Sequence, residues 1–130
     1  MYRIFVGICI FISNYFVMIN WHVTPPPTPP FIASIFNYYL ADEMEGYAFY
    51  DQLTLDLVKN SPGFLGYESF KSEGRGSFIS YWKDLASVQI WARNPIHIEA
   101  KKMGMDKWYK YYHSEIAEVQ SFRSHHIVTE

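Results

Sequence analysis

At 130 residues the chain is long enough for one domain with a core and too short for two. A net charge of −2 with no Lys/Arg run argues against nucleic acid as the main partner, and a single cysteine, Cys9, permits no internal disulfide. Hydrophobic residues make up 49% and aromatics 19%, more than so small a domain can hide, so part of this surface is expected to line a pocket or a subunit interface.

Arg3 precedes an apolar run from Ile4 to Ile12, broken at Ser13 and Asn14 and resumed from Tyr15 to Ile19. A charged start before a short apolar stretch resembles an export signal. No small-x-small cleavage site follows, and the run falls short of the ~20 residues a spanning helix needs. Residues 1–24 are therefore read as an extension outside the domain, with Met18 as an alternative start to Met1. The expected location is cytoplasmic, with export or membrane association following only if residues 1–20 act as a signal or anchor. Residues 25–30, with Pro25, Pro26, Pro27, Pro29 and Pro30, form a stiff extended lead-in that also has the composition of a generic ligand for proline-binding modules.

The domain is expected over residues 31–123. Phe31 to Tyr39 reads as a strand, apolar on both faces except at Ser34 and Asn37, and so covered on both. After the acidic link Asp42 to Gly46, apolar spacing changes from two to about 3.6, which predicts a helix from Tyr47 to Lys59 with Tyr50, Leu53, Leu57 and Val58 on its buried stripe. Pro62 and Gly63 stop it. Phe64 to Lys71 and Ser77 to Trp82 read as a hairpin about Gly74-Arg75-Gly76, a turn rather than a phosphate-binding loop because no helix follows. Asp84 is a fitting N-cap for a helix that buries Leu85, Val88, Trp91 and Ala92. Asn94 before Pro95 ends it, and Pro95 starts a turn carrying Ile96, His97 and Ala100 that Gly104 closes. Met105 to Tyr112 reads as a short aromatic helix, His113 to Arg123 as the last strand, and residues 124–130, with His125 and His126, as a solvated polar tail.

The order is β-α-β-β-α-β, an α+β ferredoxin-like arrangement with a four-stranded antiparallel sheet. Its helices cover one face only. The other apolar face is expected to meet a second copy of the chain, giving a homodimer.

Pro29-Pro30-Phe31, Gly46-Tyr47, Pro62 to Ser69, Gly74-Arg75-Gly76, Ser80-Tyr81-Trp82, Ile90-Trp91, His97, Ala100, Gly104 and Trp108-Tyr109 stand together in an order that resembles the antibiotic biosynthesis monooxygenase superfamily, in particular its small bacterial members. The resemblance covers about residues 25–123 and implies a dimeric α+β barrel. It also implies oxidation of an aromatic or quinol-like small molecule in an apolar pocket, with no bound metal or flavin. A haem-degrading branch implies the alternative of haem, through an Asn on the first strand, a Trp on the second helix and a His about ten residues beyond. Asn37 and Trp91 resemble the first two. Lys101 stands where the His belongs, and His97 comes four residues early.

The catalytic candidates are thus Asn37, Trp91 and His97, the last as a general base or proton shuttle, since a histidine titrates near neutrality. Phe36, Tyr81, Trp82, Trp108 and Tyr109 are the candidate pocket walls. No metal site is expected. Each candidate has a plainer reading: tryptophans in the core, a helix-end histidine bonded to backbone, and, instead of an enzyme, a non-catalytic dimeric binding module for a hydrophobic ligand.

Overall fold

The computed structural model describes residues 18–127, so the alternative of a signal or anchor over residues 1–20 falls on a stretch that lies, up to residue 17, outside the described residues. The central strand, β2 (Phe31–Leu40), is rich in aromatic and β-branched residues and pairs antiparallel on both sides. On one side lies β4 (Arg75–Trp82), with β3 (Phe64–Ser72) and the two-residue β1 (Asn20–Trp21) beyond it; on the other lies β5 (Tyr109–Val119). The order β1-β3-β4-β2-β5 makes a five-stranded antiparallel sheet. Each strand-helix-strand unit skips one strand, as the ferredoxin-like reading requires. Helix α1 (Tyr47–Val58) joins β2 to β3, while α2 (Leu85–Ala92) and α3 (Pro95–Met103) join β4 to β5.

The fifth strand corrects the expected four. It comes from the stretch read as lying outside the domain. Gly66 makes its approach feasible, because a Cβ there would lie 2.6 Å from the Asn20 carbonyl oxygen and 2.9 Å from the Trp21 ring. Trp21 then packs its ring 5.3 Å from that of Tyr81 and 6.0 Å from that of Phe31, and Phe122 closes on it at 5.8 Å. One end of the sheet's outer face, with Phe31, Ala33 and Tyr81 buried, is therefore covered by the chain's own termini rather than left wholly for a second copy.

Other boundaries also shift. The hairpin reverses at Glu73-Gly74, both at positive φ, with Ser72 opposite Arg75; Arg75 and Gly76 already belong to β4. This is the two-residue turn that matches strand twist. The expected helix from Met105 to Tyr112 is instead a single π turn, Gly104–Trp108, after which β5 begins at Tyr109 and ends at Val119. In α1 the buried ends are Tyr47 and Val58, and the stripe facing the sheet also holds Asp51, Thr54 and Leu55. Polar residues on that stripe blurred the helical pattern, and they are there because the stripe roofs a cavity. In α2, Leu85 is exposed and Ser87 takes the buried place, its hydroxyl where a Cβ on Gly63 would stand. Among the described residues no helix is long and apolar enough to cross a membrane.

Candidate active site

Side chains alternate along a strand, so the parity of each residue decides its face. Ser34, Phe36 and Tyr38 of β2, with Phe78, Ser80 and Trp82 of β4, point toward the helices. Between this face and α1, α2 and α3 lies a cavity of about 420 Å³. Its floor is aromatic: Tyr67 stacks on Phe78 at 5.5 Å, and Phe36 meets Tyr109 edge-on at 5.1 Å. Trp82 is fully buried beneath it and donates its indole N–H to the Ser80 hydroxyl at 2.8 Å.

Of the candidates from the sequence, Phe36, Trp82, Trp91, His97 and Tyr109 line this cavity. Asn37, Tyr81 and Trp108 do not. Asn37 has the opposite parity to Phe36 and Tyr38, and its Nδ2 bonds His113 Nε2 at 3.1 Å on the outer face. Tyr81 likewise faces outward, donating its hydroxyl to the buried Glu68 carboxylate. Burial and that hydrogen bond raise its pKa. Trp108 is buried elsewhere: its Nε1 donates to the Glu45 carbonyl at 2.9 Å, which pins the loop leading into α1.

His97 is held on three sides. The Asn94 side chain caps α3, accepting from the backbone N–H of Ile96 at 2.9 Å and of His97 at 3.1 Å. The imidazole lies on the Trp91 indole, 4.7 Å between centroids and 21° between planes. Since the Trp91 carbonyl can only accept, the 3.2 Å contact to it is a bond donated by Nδ1–H. The proton is thereby placed on Nδ1, and Nε2 keeps the lone pair. Burial, reinforced by the Lys101 ammonium one turn along, pushes the imidazole pKa down to about 4 against the opposing pull of the Trp91 carbonyl. The ring is neutral throughout the neutral pH range. The plain reading of a helix-end histidine bonded to backbone is accurate, and the same residue still lines the cavity.

Sequence reasoning missed the other end of the cavity, where Tyr38, Tyr47, Asp51 and Lys71 gather. Lys71 Nζ lies 3.3 Å from Asp51 Oδ2 and 5.2 Å from the centre of the Tyr47 ring. The parity of Tyr38 with Phe36 was the signal that could have found it.

No family model matches the chain. The uncharacterised protein YqjZ of Bacillus subtilis is 34% identical over 98 residues, 75% of this chain and 86% of its own length. The cofactor-independent oxygenase SnoaB from Streptomyces nogalater shares the fold with a TM-score of 0.57 at 10% identity, over 72% of this chain and 95% of its own. A crystal structure of an antibiotic biosynthesis monooxygenase gives 0.56 at 13% identity, over 71% and 99%. The chain belongs to the family of YqjZ, and it has the fold of the antibiotic biosynthesis monooxygenases. Rv0793 from Mycobacterium tuberculosis has the same fold, with a TM-score of 0.64 at 10% identity over 74% of this chain and 100% of its own.

The residue set that the resemblance implied for haem degradation does not assemble here. Asn37 is on the far face of the sheet and Lys101 occupies the position expected of the axial histidine. Among the described residues no three His, Cys, Asp or Glu side chains cluster as a metal site would need.

Proposed function

We propose that this chain is a cofactor-independent oxygenase that converts a phenol or quinol-like aromatic into a quinone in the cavity beneath α1–α3. The observation that carries the reading is His97: a neutral imidazole with its proton fixed on Nδ1, stacked on Trp91 at the wall of an aromatic cavity. A planar substrate fits between aromatic walls that exclude water, and His97 Nε2 accepts the phenolic proton. The resulting phenolate is electron-rich enough to reduce O₂ directly. In balance, the ring gains one oxygen atom and gives up two hydrogens, and the second oxygen leaves as water. A base with so low a pKa is weak, so it suits phenols acidified by a conjugated carbonyl.

The test is oxygen uptake with anthrone and with 1,5-dihydroxynaphthalene, alongside quinone formation. One O₂ is expected per quinone, and catalase should return no oxygen. His97→Gln should lower kcat by about 10²-fold, the low end for loss of a general base. Asn37→Ala should stay within about twofold of wild type, since the residue faces away from the cavity. Equal rates for wild type and His97→Gln would refute the role given to His97. Saturable binding of either compound without uptake would favour the non-catalytic binding module.

We also propose a homodimer through the outer face of the sheet. Tyr39, Phe70 and Tyr111 are exposed there beyond the reach of the Trp21 cover. Light scattering should give twice the chain mass, and Tyr111→Lys should shift it toward the monomer; a wild-type monomer at micromolar concentration would refute this.

A further inference from the structure

The cavity is not uniform along its length. Tyr38 from β2, Tyr47 from the start of α1 and Tyr109 from the start of β5 converge at one end, with ring centroids 5.1 Å apart for Tyr38 and Tyr109 and 6.4 Å for Tyr47 and Tyr109. Gly76, opposite Tyr38, is six residues along β4 from Trp82, which puts this end roughly 20 Å along the sheet from the Trp82 end. A Cβ on Gly76 would lie 2.2 Å from both Cζ and the hydroxyl oxygen of Tyr38. Tyr38 therefore lies directly over bare backbone, and its hydroxyl meets that of Tyr47.

That meeting is poor. The two oxygens are 3.5 Å apart, at the outer limit of a hydrogen bond, and neither phenol makes another side-chain hydrogen bond among the described residues. Tyr38 and Tyr47 are 5% and 9% exposed. A hydroxyl buried to that degree normally has a partner, and two phenols offer two donors. At least one is left for an acceptor that the protein does not supply.

The sign of the surroundings narrows that acceptor. Lys71 would favour an anion, but Asp51 sits against it at 3.3 Å and cancels it. Burial also keeps the phenols protonated: it pushes the Tyr47 pKa up to about 12 and those of Tyr38 and Tyr109 higher still. They remain donors at any neutral pH. Donors without net positive charge suit a neutral oxygen better than a carboxylate.

We infer that Tyr38, Tyr47 and Tyr109 form a recognition site for a neutral carbonyl oxygen, that of an aryl ketone or quinone, and so select ketone-bearing aromatics. The inference rests on the reading of the cavity as a ligand site, but not on any oxidation taking place there.

Calorimetric titration of the full chain with 9-fluorenone, fluorene and fluorene-9-carboxylate tests it. The ketone should bind about tenfold tighter than the hydrocarbon, the yield of one good hydrogen bond, and tighter than the carboxylate. Tyr38→Phe should erase the preference and leave fluorene affinity unchanged. Tyr47→Phe should do the same and carries the test if Tyr38→Phe melts abnormally. Equal binding of ketone and hydrocarbon, tightest binding of the carboxylate, no binding of any of the three, or equal weakening of ketone and hydrocarbon by the substitutions would each overturn the inference. Oxygen uptake measured in parallel separates the two readings. Turnover without ketone preference removes this inference and keeps the oxygenase, and ketone preference without turnover does the reverse.

Discussion

Gly76→Ala tests the geometry of the cavity's polar end through stability alone. The new methyl would stand 2.2 Å from Tyr38 Cζ and hydroxyl oxygen, where carbon contacts are ordinarily ~3.5–4.0 Å. The ring must retreat by more than about 1 Å, yet it is held between Phe36 at 5.3 Å and Tyr109 at 5.1 Å. Overpacking of this kind costs ~1–3 kcal/mol. With unfolding entropy near ~2.1 cal/mol/K per residue and about 110 ordered residues, the loss in Tm is about 4–13 °C. Thermal melts followed by circular dichroism read it directly. The same substitution placed in a Tyr38→Ala background should cost almost nothing, because the clashing ring is gone, giving a coupling of at least ~1 kcal/mol between the two sites. A Gly76→Ala protein that melts within about 2 °C of wild type, or one that loses equally in both backgrounds, would refute the contact.

Two further substitutions probe buried polar groups. Folding lowers the His97 pKa from 6.5 to about 4, so between those values the unfolded chain binds more protons and stability falls as pH drops from 6.5 toward 4. The slope from this group is up to ~1.4 kcal/mol per pH unit; His97→Gln should lose that part of the slope in urea titrations at pH 7, 6 and 5, and parallel curves would contradict the burial of the ring. Tyr81→Phe removes the donor to Glu68, a carboxylate only 9% exposed, and should cost ~1–3 kcal/mol in urea. An unchanged midpoint would mean that Glu68 finds another donor at no loss.

The fold was legible because its signals are local and redundant. Pro62-Gly63, Asp84 and Asn94-Pro95 punctuate the chain where elements end, and apolar period two changes to period 3.6 between them. The fifth strand was not legible, since Asn20–Trp21 carries no strand pattern of its own and is recruited by an absence, the missing side chain of Gly66. The site was half legible. Residue types were read well enough to reach Phe36, Trp82, Trp91, His97 and Tyr109, but faces were not assigned. Alternation from Phe36 already places Asn37 on the other side of the sheet, and Tyr81 beside Trp82 differs in the same way. Tyr38 and Tyr47 passed as core aromatics because nothing in their spacing separates a wall of a cavity from a wall of a core.

The position of His97, four residues early for the haem-degrading pattern, has a structural reason in the break at Asn94-Pro95. Six residues along one continuous helix would set Trp91 and His97 about 9 Å apart along the axis and on different sides of it. Asn94 is instead extended, at φ −62° and ψ 126°, and restarts the chain as α3 with its own side chain as the cap. The new helix folds the imidazole back onto the indole at 4.7 Å and brings Nδ1 to the carbonyl of Trp91 itself. Two short helices therefore do what one long helix cannot, fixing both the ring plane and the tautomer of the histidine. The Trp–His pair is a single unit made by the helix break, and Lys101, one turn further on, takes no part in holding it. It contributes charge instead, helping burial keep His97 neutral. In this chain the basic side chain at position 101 suppresses protonation of the candidate base rather than replacing an axial ligand.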